Sequence, residues 1–258
     1  MTSARAERVP ATAANGEMDI VLLGGLWLPV EEWDEVVAAL HAEGHRGVPV
    51  QLPGQGDGNR LATLDDQLTA VLVAVDECEG KPVVVGHSAS SALAWIAADA
   101  RPDKVAGVVL IGGFPVADGG SYADFFPVVD GAMPFPGWEP FEGPDSADLD
   151  QATRDRLAAA MIPVPEGVSR AVVQLTDDRR YEVPVTLVCP EFSPEQAKEW
   201  LDAGQVPELP LAKHLDLVDI DSGHWPMVTQ PRVLAGLLRA VASPLTQARG
   251  AGGTGGIA

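Results

Sequence analysis

The sequence predicts an α/β fold, a doubly wound and mostly parallel sheet with a helical cap inserted into it. Three observations lead there. Short, unbroken apolar runs recur along the chain, as expected of strands covered on both faces. Segments of about 10 to 15 residues with helical apolar spacing alternate with them. After Phe114 the alternation stops, and a long stretch crowded with Pro, Gly and aromatic residues intervenes before it resumes near residue 183.

The first strand is read in MDIVLLGG (18–25). In the following EEWDEVVAALHAEG, Trp33, Val36, Val37 and Leu40 fall on one helical face before a Gly stop. GVPVQL (47–52) reads as a strand, LDDQLTAVLVAVDEC (64–78) as a helix and KPVVVGH (81–87) as a Val-rich strand. SALAWIAADARP is a helix stopped by proline, and VAGVVLIGG (105–113) the next strand. The stretch beginning PVADGGSYADFF is too long for a structureless loop and contains two helical patterns, DQATRDRLAAAM and EGVSRAVVQL. Residues 115–181 are therefore assigned to a cap over the site. Strand VPVTLVCPE (183–191), a helix around PEQAKEWLDAG, strand LDLVDID (215–221) and helix RVLAGLLRAVA complete the fold. The core comprises 18–114 and 182–245. The small, polar residues 1–17 and the Gly-rich residues 246–258 are expected to be flexible tails.

At 258 residues and 46% hydrophobic composition, one domain of this kind can bury a large core. Lys and Arg number 17 against 37 Asp and Glu, and the resulting charge of -20 repels phosphate backbones and anionic membrane surfaces. Neither nucleic acid nor a membrane is an expected partner, whereas a neutral, apolar small molecule is. Cys78 and Cys189 lack the spacing of a disulfide framework or zinc site, which indicates a reducing compartment. No apolar region follows the early arginines, and no run approaches the ~18 residues of a membrane span. The expected location is cytoplasmic. LLGGLW lacks dinucleotide-fingerprint spacing and the five histidines are scattered, so no cofactor or metal is expected.

The chemistry centres on VVVGHSASSALAWIAA (83–98). Ser88 lies where a buried strand becomes a helix, at the carboxyl edge of the sheet where ligands gather in this architecture. A strained turn there pushes a hydroxyl outward, provided that small flanking residues let strand and helix approach. Gly86 and Ser90 meet that requirement. The helix N-terminus behind the turn offers free amides to a developing oxyanion, the Ala89 N–H among them. The simpler reading makes Ser88 one hydroxyl of a Ser-rich turn. His224, in DIDSGHWPM after the final strand, supplies a base at the same edge and in the chain order of serine, acid and histidine. His87 reads as a packing residue. His41 and His45 flank a helix end whose dipole favours their charge.

Taken together, GHSAS, SGHWPM and VLLGGLWLPVEEWDEVVAAL resemble the nucleophile elbow, histidine loop and oxyanion segment of α/β-hydrolase fold proteins, over roughly residues 18–243. The nearest branch is that of plant-type esterases and hydroxynitrile lyases with their bacterial hydrolase cousins. The pattern departs at Ser90, which replaces Gly, at Gly24 and Gly25, where His-Gly is common, and at Gln55 of LPGQGDG, where a His is usual. The resemblance implies a second oxyanion donor at the Leu26 amide and an acid just after VPVTLVC. Phe192 stands at the acid's matched position, so the acid is Glu191, one residue earlier, or Asp118 after the preceding strand. Trp27, Phe126 and Trp138, with Phe125, Phe135 and Phe141, are candidates for an apolar substrate wall or for the cap's own core.

The activity expected is that of a carboxylic-ester serine hydrolase cleaving a neutral ester, thioester or lactone through an acyl-serine. The alternatives are a binding protein that keeps the fold but has lost efficient catalysis, motivated by the displaced acid, and a lyase or tailoring enzyme using the same residues.

Overall fold

The computed structural model describes residues 17–251; the expected N-terminal tail up to residue 16, and the Gly-rich end from residue 252, lie outside them. The chain runs through β1 (Asp19–Leu23), α1 (Asp34–Ala42), β2 (Arg46–Pro49), α2 (Leu64–Asp76), β3 (Val83–His87), α3 (Ser90–Ala100) and β4 (Gly107–Ile111). A long insertion follows, containing β5 (Ala132–Met133), α4 (Gln151–Ala160), β6 (Val164–Pro165) and α5 (Glu166–Ser169). Then come β7 (Val185–Cys189), α6 (Pro194–Asp202), β8 (Leu215–Asp219), α7 (Pro226–Thr229) and α8 (Pro231–Ala251).

Six strands form one parallel sheet in the order β2-β1-β3-β4-β7-β8. The unbroken apolar runs are explained by burial on both faces, since every residue of β3, β4 and β7 is buried. Alternate side chains enter two separate cores. Val21, Leu23, Val84 and Leu110 pack with α2, α3 and the insertion; Ile20, Leu22, Val85 and Ile111 pack with α1 and α8. Helix starts follow local chemistry: Thr63 and Asp66 form a capping box at α2, as do Ser193 and Gln196 at α6. β8, at the sheet edge, is only partly covered.

Two expectations are corrected. EGVSRAVVQL is not one helix: α5 is a single turn, after which the Tyr122 amide donates to Ala171 O and the Val173 amide to Gly120 O, both at 2.8 Å. The β-branched pair Val172–Val173 favours this extended pairing over a helix. The Gly-rich tail was expected from residue 246, but α8 continues to Ala251. β5 and β6, which pair antiparallel over two residues each, are too short to leave a period in the sequence.

The insertion is tied to the core through a buried ionic cluster. Arg180, 5% exposed, bonds Asp99 of α3 and Glu208 at 3.2 Å each. Asp99 also accepts the Thr176 and Asp177 amides, and Glu208 accepts the Trp95 indole N–H at 3.0 Å. Truncating Arg180 leaves two carboxylates buried without their cation. Arg180→Met is expected to lower unfolding stability by about 3–5 kcal/mol in denaturant titration; a loss under ~1 kcal/mol would mean that the cluster contributes little.

Candidate active site

β3 passes into α3 through Ser88, whose φ of 55° lies in the left-handed region that non-glycine residues rarely adopt. Such a conformation costs about 1–3 kcal/mol and persists only where its surroundings impose it. They do so here from two sides. The Ser88 amide donates to Ile111 O at 2.8 Å, stitching the turn to the end of β4. A Cβ on Gly86 would lie 2.1 Å from Ser90 O, and one on Gly113 2.1 Å from Ser88 O, so both positions require glycine. Position 90 does not: Ser90 is buried with its Oγ donating to Gly24 O at 2.6 Å.

His224 is held from three directions. Its Nδ1 lies 2.8 Å from Glu191 Oε1, its amide donates to Asp145 O at 2.7 Å, and its carbonyl accepts from His87 Nε2 at 2.7 Å. The carboxylate at Nδ1 favours the tautomer protonated there, which leaves Nε2 as an acceptor. His87 is fully buried, and burial, with the neighbouring His224 ring, holds its pKa well below the ordinary histidine value. It is therefore neutral; because Nε2 faces a carbonyl, that nitrogen carries the proton, and the buried Nδ1 has no hydrogen-bond partner among the described residues.

Glycines make room for this arrangement too. A Cβ on Gly112 would stand 3.1 Å from Glu191 Oε2 and 3.2 Å from His224 Nδ1. One on Gly223 would come within 2.4 Å of both Asp145 O and Asp148 Oδ1, while the Gly223 amide donates to Asp148 Oδ2 at 2.8 Å. The insertion thus grips the histidine loop through residues 145–148. Burial, and then the Glu191 charge, raise the Asp145 carboxyl above its usual range.

The third component is the loop after β1. Among the described residues, the amides of Leu26 and Ala89 donate to no protein acceptor. Trp27 has a φ of 64°, a strained value for a bulky residue, and its indole N–H donates to Met133 O at 3.0 Å. A half-buried serine, a histidine paired with a carboxylate and free amides at the start of α3 and in the loop after β1 can together support nucleophilic attack on a carbonyl and charge on its oxygen.

A model of the alpha/beta hydrolase family matches residues 20–237. The chain belongs to the alpha/beta hydrolase family. A stretch of 98 residues is 35% identical to a pyrethroid hydrolase of Sphingobium wenxiniae, covering 36% of this chain and about a third (35%) of that relative. Among solved structures, an extracellular α/β-hydrolase from a Paenibacillus species, described as sharing homology with tobacco salicylic acid binding protein 2, superposes with a TM-score of 0.70 at 19% identity, over 88% of this chain and 99% of that one. A pyrethroid hydrolase from Sphingobium faniae gives 0.63 at 22% identity, over 88% and 97%. Tomato methylketone synthase I with β-ketoheptanoate gives 0.64 at 17%, over 89% and 98%. At these identities the structural likeness speaks to the fold.

Within this family frame, Glu191 is the carboxylate that the fold brings to His224. Asp118 instead accepts the Leu175 amide at 2.9 Å inside the insertion. Phe192, at the position matched to the acid, is buried against Phe114 and Trp200, with ring centroids 5.6 and 5.0 Å away. The aromatic candidates divide. Trp27 packs on Phe126, Phe135 and Phe141 at 5.5–6.1 Å, and Trp138 on Phe135 and Trp225 at 5.2 and 5.3 Å, joining the loop after β1, the insertion and the histidine loop. Phe125 is 62% exposed and is not among the stacked rings. His45 is buried, and desolvation depresses its pKa, so it does not serve as a cation at the end of α1. No helix among the described residues is long and apolar enough to cross a membrane. Sequence reading missed Gly112, Gly113, Gly223, Asp145 and Asp148; the Gly-Gly after a buried strand was the one local signal available.

The neutral, buried His87 sets a pH dependence. The unfolded chain protonates this side chain near pH 6.5 while the folded chain does not, so unfolding stability is present above pH 6.5 and falls as pH drops below it. Wild-type protein is expected to lose stability with a slope that approaches about 1.4 kcal/mol per pH unit for each such histidine about a unit below that value. His45 adds in the same direction. In denaturant titrations at pH 7.5, 6.5 and 5.5, His87→Gln should show a shallower acid slope than wild type; equal slopes would exclude a neutral, buried His87.

Proposed function

We propose that this chain is a serine hydrolase that cleaves a neutral ester, thioester or lactone through an acyl-serine intermediate. The observation that carries the reading is the 2.8 Å bond between Glu191 and His224 Nδ1, on a histidine whose main chain is fixed at both its amide and its carbonyl. In this reading Ser88 Oγ attacks the carbonyl carbon as its proton passes to His224 Nε2. Glu191 keeps the ring in the required tautomer and stabilises the imidazolium without taking the proton. The amides of Leu26 and Ala89 receive the oxyanion. His224 then protonates the departing alcohol or thiol, or the ring oxygen of a lactone, and the acyl-serine remains. Water, deprotonated by His224, attacks the acyl carbon, Ser88 regains its proton and the acid leaves.

Several features favour a neutral substrate. Glu191 is bonded to His224 and Asp145 is coupled to both, while the rings of Trp225 and His87 lie 4.9 Å from the His224 ring. An anionic substrate would meet repulsion from these carboxylates. The partial likeness to a protein named as a pyrethroid hydrolase is consistent with hydrolysis as the reaction.

Fluorophosphonate labelling followed by peptide mapping tests the assignment. Rapid modification is expected at Ser88 and none in Ser88→Ala, which should also lose turnover of p-nitrophenyl butyrate. Glu191→Gln should slow hydrolysis by about 10²- to 10⁴-fold. Retained turnover in folded Ser88→Ala would refute the mechanism, and an unimpaired Glu191→Gln would remove Glu191 from it.

A further inference from the structure

Two residues that depart from the family pattern, Ser90 and Gln55, act on the same short segment. Ser90 Oγ donates to Gly24 O at 2.6 Å, and Gln55 Nε2 donates to Gly25 O at 3.1 Å. Both side chains are buried, 2% and 6% exposed, and reach the loop from different elements. Ser90 opens α3; Gln55 belongs to the turn after β2, where its own amide donates to Leu52 O at 3.0 Å and its carbonyl accepts from Gln51 Nε2. That turn is lodged under the insertion: a Cβ on Gly54 would lie 2.6 Å from Pro165 Cγ.

We propose that Gln55 and Ser90 are positioning residues that aim the oxyanion-binding amides, a proposal resting on the acyl-serine reading above. The reason is peptide geometry. A trans peptide is planar and its C=O and N–H point in opposite directions, and the described residues contain no cis peptide. The Gly25 carbonyl and the Leu26 amide belong to one such unit. Fixing the carbonyl with Gln55 Nε2 at 3.1 Å and the Leu28 amide at 3.3 Å fixes the opposite direction of the Leu26 N–H. Without the Gln55 donor, the unit keeps only the longer of the two bonds and can swing.

Ser90 sets the second coordinate. It follows Ala89, whose amide is the other oxyanion donor, and its hydroxyl clamps the start of α3 to Gly24, two residues before Leu26. One short bond therefore fixes the separation between the two donors. The usual glycine at position 90 has no atom with which to form it. Preorganised donors stabilise an oxyanion because they need no reorientation as charge develops, and a displacement near 1 Å can cost about 10²-fold in rate.

The test uses Ser90→Ala and Gln55→Met, each deleting the donor with little change in volume, with Ser88→Ala beside them. Turnover of p-nitrophenyl butyrate is measured per active site counted by exhaustive fluorophosphonate labelling, and the affinity of butylboronic acid, whose serine adduct mimics the tetrahedral anion, is measured in parallel. Each variant is expected to lose about 10- to 100-fold in kcat, with KM within about threefold of wild type. Boronate affinity should fall by the same factor as kcat/KM. A merely structural role would lower melting temperature and the number of active sites while kcat per site stayed at the wild-type value; that result, or a rise in KM alone, overturns the proposal. The variants stand in different elements, so either suffices if the other does not fold. If wild-type protein neither turns over the ester nor labels at Ser88, the acyl-serine reading fails and takes this proposal with it; an active wild type whose variants match it refutes the positioning role alone.

Discussion

The bond between Glu191 and His224 organises the carboxyl edge of the sheet, because it closes a set of restraints that leaves the histidine a single free polar atom. The His224 amide, carbonyl and Nδ1 are taken by Asp145, His87 and Glu191 respectively, and among the described residues Nε2 alone has no protein partner. Those partners come from three separate places: the insertion, the strand-to-helix turn and the loop after β7. A short hydrogen bond to a carboxylate would hold a ring only loosely if the backbone could swing. With the main chain bonded at both ends, the carboxylate has one orientation left to choose, and it fixes both tautomer and direction.

The same edge stores backbone strain. Ser88 and Trp27, both non-glycine residues, take positive φ within the two segments proposed to supply nucleophile and oxyanion donors. Strain of about 1–3 kcal/mol per residue is tolerable where rigid neighbours outvote it. At Ser88 the neighbours are β4 and the two glycines that let strand, helix and turn touch. At Trp27 they belong to the insertion, through Met133 O on the indole and the Ile162 amide on the main-chain carbonyl at 2.9 Å. The insertion is thus a third wall of the candidate site, gripping the histidine loop at Asp145 and Asp148 and the loop after β1 at Trp27. The Arg180 cluster, by binding its C-terminal end to α3, keeps that wall in register with the sheet.

Much of this was legible in one dimension. Buried parallel strands need continuous apolar runs, so IVLL, VVV and VVLI announced the sheet. Ser88 and His224 were readable because a strand-to-helix turn and a post-strand loop are local features. The acid was harder. Matching by position gave Phe192, and nothing local to PEF shows which side chain turns toward the histidine and which into the Phe114–Trp200 stack. The helix expected over EGVSRAVVQL failed for a related reason, since its pairing partners lie some fifty residues earlier in the chain.

By itself the sequence determined the layered α/β architecture, the order of its elements and the candidate serine and histidine, since each depends on hydrophobic period, turn chemistry or chain order within a few residues. Tertiary structure alone decided what those residues face. It selected Glu191 over Asp118, set His87 against the His224 carbonyl, and aligned Ser90 and Gln55 on consecutive carbonyls of one loop. Such contacts join residues dozens of positions apart, and their geometry depends on how two faces of a sheet and an insertion close on one edge, which no local period encodes.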